Sequence, residues 1–118
     1  MAGLDTGSLD RRIRIERDGM PSHDGLQNVP GKPFVLATVW AQYKPARGQE
    51  RFDLATREAE IPVAFIIRWS RTVADVGPAD RVRYPAKDDG QLFDIIAAPR
   101  EIGRRDGLEL NCRAVKAG

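Results

Sequence analysis

The stretch Phe34–Phe52, FVLATVWAQYKPARGQERF, decides how the rest of the chain can fold. From Val35 to Tyr43 every second residue is apolar, and this alternation is typical of a strand. The strand should stop at Pro45, whose nitrogen carries no hydrogen for a sheet ladder. Since most of the intervening positions in its first half are also apolar, we expect that half to be covered on both sides and Trp40 to be a packing residue.

The charged segment that follows, Arg47–Glu60, is predicted to form one α-helix inserted after the second strand. Phe52, Ala55 and Ala59 form a narrow apolar stripe at helical spacing, so the helix should dock on the sheet through Phe52. The rest of its surface carries both signs of charge, which fits either a solvated face or a contact with a neighbouring subunit. The candidate inter-subunit face consists of Glu50, Arg51, Asp53, Arg57 and Glu58.

Alternation of apolar and polar residues predicts further strands on both sides of this stretch. The predicted strands are Leu9–Arg17, Phe34–Lys44, Pro62–Ser70, Arg81–Tyr84, Gln91–Ala98 and Leu108–Ala114. Six short strands linked by Gly, Pro and Asp turns predict a mainly β fold, a small six-stranded antiparallel β-barrel or rolled sheet. We expect residues 1–8 to be an N-terminal tail and residues 9–118 to be one domain.

The connection between the first two strands, Asp18–Pro33, is unusually long. Its sequence, DGMPSHDGLQNVPGKP, holds three glycines and three prolines and has no periodic pattern, so it is predicted to be a loop. Loops of this length in compact domains are more often functional or disordered than merely connecting.

Composition excludes several classes of protein. The 118 residues include 19 basic and 17 acidic side chains, a balance too even to indicate polyanion binding by itself. A single cysteine and a single histidine exclude an intrachain disulfide and a His/Cys zinc site built from one chain. No apolar run approaches the ~18 residues that span a bilayer, and the N-terminus does not resemble a signal peptide. We therefore expect a cytoplasmic protein with no membrane partner.

No constellation of residues indicates catalysis. The chain has no phosphate-cradling glycine loop, and no serine or cysteine has a histidine partner in a supporting context. Asp88 and Asp89 precede Gly90 in a predicted turn, where aspartates favour the turn itself. Cys112 lies on the apolar face of the last strand and should be a buried thiol. We expect no enzymatic activity, no cofactor and no metal.

Nucleic-acid binding is the alternative that needs weighing, because small barrels with basic strands can bind single strands. The four arginines of the first strand fit a solvated face, a subunit contact or a nucleic-acid-facing surface. Most aromatic residues fall on predicted core faces, which counts against a stacking platform. A small OB-like nucleic-acid-binding module stays open as the second interpretation.

The order and spacing of several motifs resemble a known family. The motifs are Leu9, Arg12, Ile13, Ile15 and Arg17, then Val39, Trp40 and Ala41, then Pro45, Gly48 and Glu50. Residues 80–84, 92–95 and 108–112 complete the pattern. From Leu9 to Val115 the sequence is similar to the bacteriophage head–tail joining proteins, also called head-closure or stopper proteins or head–tail adaptors.

The resemblance implies a structural role at the head–tail junction of a virion or of a gene transfer agent, assembled in the bacterial host cytoplasm. Proteins of this kind form a homo-oligomeric ring, often of about twelve subunits. The ring lies between the portal and its adaptor on the head side and the tail terminator on the tail side. It closes the channel around packaged double-stranded DNA and presents a platform for the tail. A tail-completion or tail-terminator protein is the alternative within the same setting.

The resemblance also implies a role for the long loop, which in the family projects toward the channel and can plug it. Carried over to this sequence, the candidate channel residues are Asp18, Met20, His23, Leu26, Gln27, Val29 and Lys32.

Overall fold

The structure is a computed structural model that describes residues 6–23, 25–29, 31–45 and 62–115. The predicted helix Arg47–Glu60 lies outside these residues, and so does its candidate inter-subunit face. The strands are β1 (Arg11–Asp18), β2 (Ser22–His23), β3 (Asn28–Val29), β4 (Pro33–Pro45), β5 (Pro62–Arg68), β6 (Arg81–Tyr84), β7 (Gln91–Ile95), β8 (Arg100–Ile102) and β9 (Gly107–Ala114). Single 3₁₀ turns lie at Thr6–Ser8 and Arg71–Val73.

Six of these strands close into an antiparallel barrel. Their order is β5-β4-β1-β6-β7-β9, and β9 pairs back with β5 to complete the circle. The short β8 pairs with β9, and β2 and β3 form a separate two-stranded hairpin. The prediction of a mainly β, six-stranded antiparallel barrel is confirmed, and the sheet is closed rather than merely rolled.

The barrel is filled by the apolar face of each strand, as the two-residue period of the sequence requires. Phe65 lies at the centre of an aromatic cluster, with ring centroids 5.4 Å from Tyr43, 5.7 Å from Tyr84 and 5.3 Å from Phe93. Neighbouring aromatic rings at these separations contribute about 0.5–1.5 kcal/mol per pair beyond the area they bury. The cluster joins β4, β5, β6 and β7 across the barrel interior.

The first half of β4 is not covered on both sides, and that prediction is wrong. Phe34 and Val35 are about half exposed, and Trp40 is 52% exposed rather than packed, whereas Ala41 is fully buried. The reason is length. β4 has 13 residues but pairs with β5 only from Ala41 to Pro45, so residues 33–40 pair with β1 alone. Leu36, Ala37 and Val39 of this half still pack against the core, while no strand of the described chain pairs with its second edge.

A β-bulge lies in this first half of β4. The register between β1 and β4 shifts between Ile15 and Glu16, so Leu36 is an extra residue on the β4 side. Bulges increase local twist and bend a strand. The shift lies in the part of β1 that also pairs with β6, since Glu16 is opposite Val35 of β4 on one side and Arg81 of β6 on the other.

Cys112 is buried and its prediction as a core thiol is confirmed. Burial raises the pKa of the thiol to about 12, with a smaller contribution from the charge of Asp94. A thiol that stays protonated is a poor nucleophile, because the thiolate is the reactive form.

We therefore expect Cys112 to be unreactive toward a thiol reagent such as DTNB in the native protein and reactive after denaturation. Because the folded-state pKa is raised, the free energy of unfolding should decrease as pH rises above the ordinary cysteine range, about 8.5. A Cys112→Ala variant should lose that part of the alkaline decrease in chemical denaturation. Rapid labelling of the native protein at neutral pH would contradict the buried assignment.

Candidate functional site

The long connection between β1 and β4 forms a narrow projection, which we call the finger (residues 19–32). At its base the Gly19 amide donates to the Lys32 carbonyl over 2.9 Å. A Cβ placed on Gly31 would lie 2.1 Å from the carbonyl oxygen of Gly19. The two sides of the finger therefore meet backbone to backbone, an approach that only a residue without a side chain permits at position 31.

The tip of the finger contains local structure that the sequence did not predict. β2 and β3 pair Ser22 with Val29 and His23 with Asn28, and Gly25 in the connecting turn has a φ of 94°. The imidazole Nδ1 of His23 lies 3.1 Å from Oδ1 of Asn28, bridging the two short strands. The prediction of a loop without secondary structure is corrected to a small hairpin. The turn-forming residues at 24–25 and 28 were the sequence signal for this hairpin. Strands of two residues are too short to show the alternation from which the other strands were predicted.

The structure brings all seven candidate channel residues onto or beside this one element. Met20 is 89% exposed and Leu26 is 94% exposed. His23, Gln27, Val29 and Lys32 are also exposed. Asp18 differs from the rest, because it is the last residue of β1 and forms an ion pair with Arg81 on β6. Their role in a channel stays a proposal.

Exposed apolar side chains are concentrated on the finger and on the half of β4 that follows it. Among the described residues, seven large hydrophobic side chains are exposed, and six of them lie here. The six are Met20, Leu26, Val29, Phe34, Val35 and Trp40. Monomeric proteins rarely concentrate apolar side chains on one exposed region, and such regions commonly mark contact surfaces.

A carboxylate clamp holds the strand that leads into the finger. Arg17 donates to both oxygens of Asp80, at 2.8 and 3.0 Å, and to Asp75 at 3.1 Å. Asp80 is only 3% exposed and also accepts the Gly77 amide at 3.0 Å. The Arg17 hydrogen bonds lower the pKa of Asp75 and raise that of the guanidinium itself. The root of the finger is thus fixed to the loop at residues 74–80.

Ion pairs also cover the outer face of β1, which the sequence presents as strongly cationic. Arg14 contacts Asp88 at 2.8 Å, and Glu16 contacts Arg83 at 2.7 Å. The Arg14 contact lowers the pKa of Asp88. Of the interpretations given for this face, a free cationic surface for nucleic acid loses support. These pairs join residues more than 60 positions apart, so alternation alone could not reveal them.

Within the described part of the chain, no group of three or more His, Cys, Asp or Glu side chains could hold a metal ion. No helix in the same residues is long and apolar enough to cross a membrane.

Comparison with known proteins gives two findings. The family model of the phage head completion protein matches residues 4–115. The solution structure of protein SF1141 from Shigella flexneri 2a aligns with a TM-score of 0.72 at 21% sequence identity, covering 98% of this chain and 100% of that one. At this identity the structural similarity shows a shared fold and nothing further. A search of curated proteins gives no match.

We predict that Gly31→Ala destabilises the protein by about 1–3 kcal/mol, because the added methyl group must displace backbone. The Gly19 amide should at the same time lose protection from hydrogen exchange. Gly77→Ala is the matched control, since its Cβ would have ordinary van der Waals contact only, 4.0 Å from the Asp75 carbonyl oxygen. Equal thermal stability of the two variants would contradict the close backbone contact between Gly19 and Gly31 at the base of the finger.

The contact between Arg17 and Asp75 predicts that the free energy of unfolding depends on pH. Because the pKa of Asp75 is lowered in the folded state, the unfolded chain takes up the proton first as pH falls. The free energy of unfolding should therefore decrease as pH falls below the ordinary aspartate range, about 4. Arg17→Gln should make this decrease shallower in urea titrations, whereas Arg104→Gln, at an exposed turn position, should leave it unchanged. If the free energy of unfolding fell equally steeply with pH in the wild-type protein and in both variants, the clamp would be contradicted.

Proposed function

The chain belongs to the phage head completion protein family, and on this basis we propose that it is a head–tail connector of the stopper type. This is a family of structural proteins whose members are virion components. In the proposed assembly, about twelve copies form a ring between the portal–adaptor complex and the tail terminator of a phage or gene transfer agent. The ring closes the DNA channel after packaging and provides the platform on which the tail docks.

The finger is the observation that carries the proposal. A channel plug must reach beyond the body of its subunit and yet remain firmly attached to it. The close backbone contact of Gly19 with Gly31 and Lys32 at the base of the finger, together with the ion pair of Arg17 with Asp80, supplies the attachment. The exposed Met20 and Leu26 supply apolar surface that copies of the same finger could bury against one another around a ring axis.

The charge of the finger suits passage of DNA. Residues 19–32 include Lys32 and Asp24 with opposite charges, together with His23. Strong binding of DNA requires several cations that release counterions from the phosphates. A lumen lined by this segment would therefore let double-stranded DNA pass without gripping it.

Lateral contacts in the ring are proposed to involve the segment after β4. Its charged residues Glu50, Arg51, Asp53, Arg57 and Glu58 include both signs. In a ring, unlike surfaces of neighbouring subunits meet at every interface. A segment with both signs of charge can satisfy such a contact when different parts of it face the two neighbours.

Replacing residues 20–30 with a short glycine linker tests the plug. We expect particles assembled with this variant to package DNA and then lose it, because the barrel and the clamp remain while the finger does not. DNA retention in purified heads, measured after nuclease treatment, is the readout. Ile96→Ser, at an exposed apolar side chain outside the finger, is the control and should retain DNA. Full retention by the finger variant would refute the plug.

Electron microscopy of the protein mixed with its portal–adaptor complex tests its position. We expect ring density directly beneath the adaptor. Density on the tail tube alone would favour the tail-terminator interpretation. Absence of any ring, together with tight and steeply salt-dependent binding of single-stranded DNA, would favour the nucleic-acid-binding module.

A further inference from the structure

A groove opens where β4 and β5 separate. Ala41 and Ile67 are the last paired residues, and beyond them the two strands diverge. The space between Thr38–Trp40 on one side and Arg68–Ser70 on the other has a volume of about 360 Å³. Leu9 and Arg12 complete its lining. A volume of this order is within the range of binding clefts in proteins.

The lining of the groove is aromatic and cationic. Both tryptophans of the chain, Trp40 and Trp69, lie in it. The Arg12 guanidinium stands 4.9 Å from the ring centroid of Trp40, which holds that cation at the edge of the groove. Arg68 is exposed on the opposite side. No acidic side chain belongs to the described lining, so the groove presents positive charge beside apolar surface.

One wall of the groove is an open sheet edge. Residues 33–40 of β4 pair with β1 on one side, and no strand of the described chain pairs with their other side. Eight extended residues present about 26 Å of edge at ~3.3 Å per residue. Unpaired backbone N–H and C=O groups along such an edge can accept an additional strand.

We propose that this groove binds an extended, acidic segment of a partner protein by strand addition to β4. The backbone of the segment would hydrogen-bond to the open edge, and its carboxylates would pair with Arg12 and Arg68. An apolar side chain of the segment would lie between the two tryptophan rings. In strand addition the backbone supplies affinity, and pockets for alternate side chains supply specificity.

A peptide fits these features better than a nucleic acid does. A single strand of DNA has no backbone donors and acceptors at the spacing of a sheet edge. It binds through several cations along its phosphates and a series of stacking aromatics, whereas this lining offers two arginines and two tryptophans. The proposed site concerns a partner of this protein and does not depend on ring formation.

The two tryptophans make the proposal directly measurable, because all tryptophan fluorescence of the protein comes from this groove. The probe is an acetylated octapeptide that alternates glutamate with valine, titrated into the full-length protein. We expect a saturable change in tryptophan emission. Replacing glutamate with lysine should weaken binding by about tenfold or more, because charge-assisted hydrogen bonds contribute about 1.5–3 kcal/mol each. N-methylation of alternate backbone nitrogens should abolish binding.

Protein variants identify the contacts. Arg12→Gln and Arg68→Gln should each weaken binding of the acidic peptide about tenfold, whereas Arg104→Gln, on an exposed turn outside the groove, should not. Circular dichroism establishes that each variant is folded before titration.

Three outcomes would overturn the proposal. The first is an unchanged emission at saturating peptide, and the second is equal binding of the acidic and lysine peptides. The third is binding of oligo-dT with a steep salt dependence in place of the peptide, which would assign the groove to single-stranded nucleic acid.

Discussion

The pairing of β5 with β9 is the constraint on which the rest of the structure depends. Seven consecutive residue pairs, from Pro62 with Arg113 to Arg68 with Gly107, turn an open sheet into a barrel. Their register places Phe65 opposite Leu110, so both side chains enter the core. Since adjacent residues of a strand face opposite ways, a shift of one position would expel every core side chain of β5.

Closure of the barrel also determines where the two candidate surfaces, the finger and the groove, lie. β5 pairs with β9 along its whole length, but β4 is nearly twice as long as β5. Among the described strands, residues 33–40 of β4 therefore pair only with β1. The finger directly precedes this half of β4 in the chain, and the groove opens beside it. Both candidate surfaces thus follow from a mismatch in strand length, which puts apolar residues into solvent where a partner can cover them.

The electrostatics of the molecule are likewise set by tertiary pairing. The first strand reads as cationic, yet Arg14 and Arg17 meet carboxylates from the loops after β5 and β6. Exposed pairs of this kind contribute little to stability individually. The bidentate contact of Arg17 with nearly buried Asp80 is different, because it fixes the orientation of the strand that carries the finger. Arg12, which lies over the Trp40 ring, and Arg68 line the groove instead.

The sequence by itself determined the six barrel strands, the buried position of Cys112 and the site of the long connection. These features depend on local alternation and on turn-forming residues, which any stretch of chain displays without reference to the rest. The resemblance to the head–tail joining proteins rested on the order and spacing of motifs, which are also properties of the linear chain.

Only the tertiary structure decided which half of β4 is covered, because apolar alternation does not reveal how long the neighbouring strand is. The same reason explains the error over Trp40, whose environment depends on where β5 stops. The tertiary structure also decided two contacts that the linear sequence could not predict: the backbone contact between Gly19 and Gly31, and the ion pairs of Arg17 with Asp75 and Asp80.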